Sequence, residues 1–171
     1  PTPAMPLEIE RKFLITDDRW REEVERSVRM AQGYINDVAA LDSGRQRASV
    51  RVRIAGEEAF LNLKSRELGH TRQEFDYPIP LADGEALLAL CVGGRIDKTR
   101  HYVRRGPHLW EIDVFAGDNA GLVVAEIELS DADEPFERPA WLGREVTDDA
   151  RFYNLALAER PYAAWTAQEK V

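Results

Sequence analysis

Cysteine is almost absent. Cys91 stands alone among 171 residues, which excludes an internal disulfide and any multi-cysteine metal site. It lies in the apolar run from Ala86 to Val92, where a thiol serves packing rather than nucleophilic chemistry. Long hydrophobic runs are missing too, so no helix of the chain is apolar enough to span a bilayer. No apolar signal segment precedes the acidic Glu8, and the expected compartment is the cytoplasm. Positive charge is in deficit: 23 Lys and Arg against 31 Asp and Glu leave a net charge of -8, which argues against general nucleic-acid binding while leaving room for a local basic pocket. His70, His101 and His108 show no metal-ligand spacing. The chain has no phosphate-binding glycine loop, dinucleotide fingerprint, nucleophile elbow or solenoid repeat. What remains, 44% hydrophobic and 32% charged, suits one folded domain, expected over residues 7–160 with flexible ends at 1–6 and 161–171.

The first informative stretch is Leu7 to Phe13, Leu-Glu-Ile-Glu-Arg-Lys-Phe. Extended, it sets Glu8, Glu10 and Lys12 on one face and Leu7, Ile9 and Phe13 on the other. Neighbouring carboxylates repel unless a cation lies between them, so the spacing points to a divalent-metal site with a basic neighbour. A solvated surface strand could carry the same letters. Thr16 then caps an expected helix over residues 17–28, with Asp17 and Asp18 in its first turn. Met30 to Ile35 reads as a short strand and residues 37–44 as an irregular polar loop. Residues 46–55, 59–66 and 71–79 alternate as strands, the first two joined at Gly56-Glu57-Glu58 and the third preceded by Gly69. Leu81 to Val92 has helical composition, stopped by Gly93-Gly94. Strand alternation returns over residues 95–104, 109–115 and 122–129, followed by an acidic, proline-containing connection and a short strand at residues 141–146. Thr147-Asp148-Asp149 can open a last helix through Tyr153 and Leu157, ended by Pro161, with a loose tail beyond Trp165.

Every strand carries its charge on one side. The acids are Glu8, Glu10, Glu74, Glu111, Asp113, Glu126 and Glu128; the bases are Lys12, Arg51, Arg53, Lys64, Arg66, Arg72, Lys98 and Arg100. About eight antiparallel strands can curl and close, which hides their edges and brings the charged faces together. An open sheet with its charges in water would need more helix than this chain offers to cover its apolar face. Burying such charges without counter-ions costs several kcal/mol per ion. The bases come mostly from the middle strands and the acids from the first and last, so a polyphosphate fits one half of the lining and a divalent metal the other.

These residues resemble the CYTH domain, or triphosphate tunnel metalloenzyme, family. The likeness runs from Glu8-Ile9-Glu10-Arg11-Lys12 through Arg51-Val52-Arg53, Leu63-Lys64, Arg72-Gln73-Glu74, Lys98-Thr99-Arg100, Trp110-Glu111-Ile112-Asp113 and Glu126-Ile127-Glu128 to Trp141-Leu142-Gly143. The resemblance implies an α+β fold: an eight-stranded antiparallel tunnel with a few flanking helices and a C-terminal helix near one mouth. It implies phosphate contacts from Lys12, Arg51, Arg53, Lys64, Arg72, Lys98 and Arg100, with Arg66 as a further base and Glu74 as a further site residue of unassigned role. One or two Mg²⁺ or Mn²⁺ ions would be held by Glu8, Glu10, Glu126 and Glu128, with Glu111 and Asp113 as additional ligands. Glu10, Lys12 and Glu128 become the catalytic group, and Tyr34 either pairs with Lys12 or is ordinary strand packing.

The leading functional expectation is hydrolysis of inorganic tripolyphosphate or a related triphosphate. Cyclisation of ATP to cyclic AMP, hydrolysis of thiamine triphosphate or of nucleoside triphosphates, and polyphosphate binding without turnover are the alternatives. The expected partner is the polyphosphate or nucleotide substrate, with neither nucleic acid nor membrane. The sequence leaves the oligomeric state open, a homodimer included.

Overall fold

A computed structural model describes residues 7–66 and 70–170. The expected looseness of residues 1–6, the residue Gly69 and the terminal Val171 lie outside this range. The elements are β1 (Leu7–Ile15), β2 (Val24–Tyr34), α1 (Val38–Asp42), β3 (Ala48–Ala55), β4 (Glu58–Ser65), β5 (Thr71–Ile79), α2 (Leu81–Leu88), β6 (Val92–Arg105), β7 (His108–Phe115), β8 (Val123–Glu128), β9 (Leu142–Glu145) and α3 (Asn154–Glu159). The strands follow the order β5-β4-β3-β2-β6-β7-β8-β1, all pairs antiparallel, and β1 returns to pair with β5. That contact closes a ring of eight strands, the expected α+β barrel with flanking helices. Closure removes the open edges of the sheet.

One edge of β1 is shared. Leu7 to Ile9 pair with β5, whereas Phe13 and Ile15 pair with β9. Between them the Lys12 N–H donates to Thr147 Oγ1 at 3.0 Å, so the ladder opens where the C-terminal segment reaches the lumen. The outward face of the barrel packs Phe13, Trp20, Val103, Trp110, Ile112, Ile127 and Trp141 into one buried cluster.

Inside, the lining changes character along the barrel axis. The side-chain parity that holds Lys12, Lys98, Asp113 and Glu126 continues into Leu14, Ile96, Phe115 and Val124. These four pack with Phe152, Leu157 and Trp165 from the C-terminal segment. One end of the lumen is therefore stoppered by apolar side chains, and the charged stretch lies beyond it.

Four expectations are corrected. The helix over residues 17–28 is a single 3-10 turn, Arg19–Glu23, whose Arg19 N–H donates to Asp17 Oδ1 at 2.9 Å; from Val24 the chain is extended. Pairing of Val24 to Val28 with β6 supplies backbone partners that a helix would have supplied locally, and β3 joins the other edge of β2 from Met30 onward. Residues 38–42 form a short helix, its Ala40 N–H donating to the Asp37 side chain at 2.7 Å. Gly93-Gly94 does not stop a helix but opens β6, since α2 has already ended at Leu88. A Cβ on Gly94 would stand 2.5 Å from the Ala158 carbonyl oxygen, so this glycine allows α3 to lie against β6. Finally, the tail is not loose over its described part. Trp165 is 5% exposed and packs edge-on against Phe152 and Tyr162, and Glu169 accepts two hydrogen bonds from Arg160, each at 2.7 Å.

Candidate active site

The charged stretch encloses a cavity of about 460 Å³. Strand alternation delivers its lining: Glu8, Glu10 and Lys12 from β1, Arg51 and Arg53 from β3, Asn62 and Lys64 from β4, Arg72 and Glu74 from β5, Arg100 from β6, Glu111 from β7, and Glu126 and Glu128 from β8. Tyr34 and Arg66 also face it, as do Tyr153, Asn154, Leu155 and Ala156 from the C-terminal segment, which places that helix at the lumen as expected.

Register puts like charges face to face. Glu10 is paired with Glu128 across β1 and β8, and Glu126 with Glu111 across β8 and β7. Directly opposed carboxylates destabilise a sheet unless cations screen them. Burial, followed by repulsion from Glu126 and Glu8, raises Glu10 to about pKa 7, even though its carboxylate accepts a hydrogen bond from Arg72 Nη2 at 2.7 Å. Glu8 is held by Lys64 Nζ at 3.0 Å. Burial raises Glu111, and it raises Glu128 together with repulsion from Glu111, Glu74 and Glu10. For Glu126 burial acts in the same direction, yet Lys12 and Arg100 overcome it and hold the carboxyl well below its ordinary value.

The cationic wall contains buried donors with no acceptor. Arg51 Nε and Arg72 Nε are both buried and make no hydrogen bond. Arg53 is tied through Nε to Gln32 Oε1 at 2.8 Å, and burial together with Arg51 and Arg100 lowers its pKa. Arg66 stands at the rim beside Asp42, 3.3 Å away, and Glu74 accepts from Asn62 at 2.8 Å.

Two of the expected residues are not brought into the cavity. Lys98 and Asp113, each 1% exposed, form a 2.7 Å ion pair at the level where the lining turns apolar, and Asp113 also accepts from Arg100 at 2.8 and 2.9 Å. Burial lowers Lys98 to about pKa 7 against the pull of Asp113. The structure puts Tyr153 beside Lys12, its ring centroid 5.1 Å from Nζ, and Arg72 lies over the same ring at 5.1 Å. Lys12 Nζ also donates to Phe152 O at 3.2 Å and pairs with Glu126 at 3.3 Å. Tyr34 joins the apolar stopper with its ring while lining the cavity.

Asn62 and Asn154 line the cavity, and Gln32 lies behind it against Arg53; charge counting passes over all three, because an amide carries no formal charge. Strand parity could have flagged Gln32 and Asn62, since Gln32 shares a face with Tyr34 and Asn62 with Lys64.

Among the described residues no three carboxylate, imidazole or thiol groups converge as a ready metal cluster. The donor chemistry nevertheless fits a hard divalent cation, since facing pairs of carboxylates are what such an ion relieves. Glu8 and Glu10 are held by Lys64 and Arg72, the groups a polyphosphate would engage.

The strands form a closed antiparallel barrel whose lumen is lined by opposed carboxylates and arginines. The CYTH domain profile matches residues 6–156, and the chain belongs to that family of triphosphate tunnel metalloenzymes. It is 38% identical over 159 residues to an inorganic triphosphatase of Acetivibrio thermocellus, covering 92% of this chain and 97% of the relative. It is 39% identical over 155 residues to an inorganic triphosphatase of Nitrosomonas europaea, covering 88% and 96%. The crystal structure of an inorganic triphosphatase superposes with a TM-score of 0.61 at 35% identity, covering 88% of this chain and 93% of that one. A Hippeastrum protein described with a dominant triphosphatase activity aligns at 16% identity and a TM-score of 0.57, a likeness of fold alone.

Proposed function

We propose that this protein is a triphosphatase that hydrolyses inorganic tripolyphosphate with the help of Mg²⁺ or Mn²⁺. The observation that carries the reading is the division of one cavity into a cationic wall, Arg51, Arg53, Lys64, Arg72 and Arg100, and a wall of carboxylates opposed in register. A phosphate chain supplies acceptors for buried Arg51 Nε and Arg72 Nε, and the planar guanidinium groups can bind its oxygens in pairs. With Lys64 and Arg72 engaged on phosphate, Glu8 and Glu10 would be free to hold a divalent ion together with Glu128, Glu126 and Glu111. A divalent ion held there would neutralise phosphate charge and acidify a water molecule. Lys12, fixed between Phe152 O, Glu126 and the Tyr153 ring, lines the cavity where it would contact the reacting phosphoryl group.

The stoppered end supports inorganic triphosphate over nucleotides, because the charged stretch ends against Leu14, Ile96, Phe115 and Val124. The test is incubation with tripolyphosphate, ATP and thiamine triphosphate, each with Mg²⁺ or Mn²⁺, reading phosphate, pyrophosphate and cyclic nucleotide separately. Phosphate and pyrophosphate from tripolyphosphate are expected. Cyclic AMP as the main product, or tight binding without turnover under either metal, would overturn the proposal.

A further inference from the structure

We propose that Gln32 and Asn154 are positioning residues that hold Arg53 in its phosphate-binding pose, through a partly buried amide relay anchored on Lys98. The inference rests on the triphosphate reading above and adds two residues that contribute no charge to the tunnel.

Gln32 lies on β2 opposite Arg53 of β3 and is 0% exposed. A fully buried carboxamide must find partners for both its ends. Arg53 Nε donates to Gln32 Oε1 at 2.8 Å, Gln32 Nε2 donates to Asn154 Oδ1 at 3.0 Å, and Lys98 Nζ donates to the same Asn154 oxygen at 3.0 Å. The direction of this relay is forced at both ends. Arginine and lysine ammonium groups can only donate, so Gln32 must offer its oxygen to Arg53 and Asn154 must offer its oxygen to Lys98. One amide orientation then satisfies all three bonds, and a flip of either side chain sets two donors against each other.

Arg53 is pinned by this arrangement on its Nε side, while its side chain lines the cavity. An arginine side chain gives up much rotamer freedom on being ordered, so a fixed Nε prepays part of that loss before the anion arrives. Asn154 opens α3, so the relay also ties the C-terminal helix to β2 and β6 at the point where Lys98 meets Asp113.

The experiment is a double-substitution cycle read as the dissociation constant for tripolyphosphate by calorimetry, with kcat and KM measured alongside. Gln32→Met, which keeps the volume and removes the amide, is expected to weaken binding about tenfold, the loss of one hydrogen bond to a charged group. In an Arg53→Ala background the same change should weaken binding no further, whereas combined with Arg72→Ala it should multiply the loss. Asn154→Ala, which removes the acceptor shared by Gln32 and Lys98 and leaves the Gln32–Arg53 bond in place, should show the same coupling to Arg53 at about twofold to threefold, and it serves as the readout if Gln32→Met does not fold. Equal multiplication of the loss in both backgrounds would overturn the inference while leaving the triphosphatase reading intact. Failure of the unsubstituted chain either to bind or to hydrolyse tripolyphosphate would overturn both.

Discussion

Glu10 and Glu128 stand directly opposite each other on β1 and β8, two carboxylates in one register pair at the wall of the tunnel. Arg72 reaches Glu10 at 2.7 Å, and repulsion from Glu10, Glu111 and Glu74 adds to burial in raising Glu128. Replacing Glu128 with Gln removes one member of the opposed pair while leaving the Arg72 contact in place. Without metal, Glu128→Gln should unfold at a higher temperature, by the roughly 0.2–1 kcal/mol that a facing like-charge pair costs. Its activity with Mg²⁺ or Mn²⁺ should fall by at least about tenfold. Thermal unfolding in chelator and a phosphate-release assay measure the two effects, and an unchanged activity would remove Glu128 from the metal-binding group.

Arg51 should behave as a binding residue with little role in stability. Its Nε is buried without a hydrogen bond, so its removal breaks no such bond in the free protein at that atom. Arg51→Ala is expected to weaken tripolyphosphate binding by about tenfold or more, from one or more charge-assisted hydrogen bonds of roughly 1.5–3 kcal/mol. Its unfolding midpoint in urea should stay at or above that of the unsubstituted chain. Calorimetry and urea titration give the two numbers.

The Lys98–Asp113 pair predicts the opposite division. Asp113→Asn leaves a fully buried ammonium short of its counter-ion, and breaking such a pair costs about 3–5 kcal/mol of stability. Removing the stranded ammonium as well, with Lys98→Met added to Asp113→Asn, should cost less than Asp113→Asn alone, since the Arg100 contact is weakened equally in both. Urea unfolding of the three proteins tests the ordering. A loss of substrate affinity in Asp113→Asn with no loss of stability would place the pair in the binding machinery instead.

Glu23 predicts an acid-sensitive seam on the outside of the barrel. Its carboxylate accepts from Arg105 Nε at 2.6 Å and from Trp141 Nε1 at 2.9 Å, and the Arg105 hydrogen bond lowers its pKa from the ordinary 4.5. With the folded value below the unfolded one, the unfolded chain binds the proton more readily on acidification. The contribution is complete above the unfolded value and disappears as the pH falls through the folded one. The melting temperature should therefore drop more steeply below pH 4.5 in the unsubstituted chain than in Glu23→Gln, and parallel curves would dismiss this seam.

The sequence determined the chemistry of the site because strand parity is a local rule. Once Glu8, Glu10, Arg51, Arg53, Glu126 and Glu128 alternate with apolar residues, a closed sheet gathers them on one side of its wall, and that side is the lumen here because the apolar side packs under the flanking segments. Parity says nothing of depth along the barrel. Lys98 and Asp113 share the face of the tunnel residues, yet they lie at the apolar stopper, a level fixed by strand stagger and by Phe152, Leu157 and Trp165 from far along the chain. Residues 24–28 read locally as helix, and pairing with β6, roughly seventy positions further along the chain, made them strand. The pairing of Lys12 with Tyr153 and the Gln32–Asn154 relay join residues more than a hundred positions apart, through neutral groups. Such contacts depend on where the barrel closes and where its C-terminal segment enters, which long-range packing decides and residue spacing does not encode.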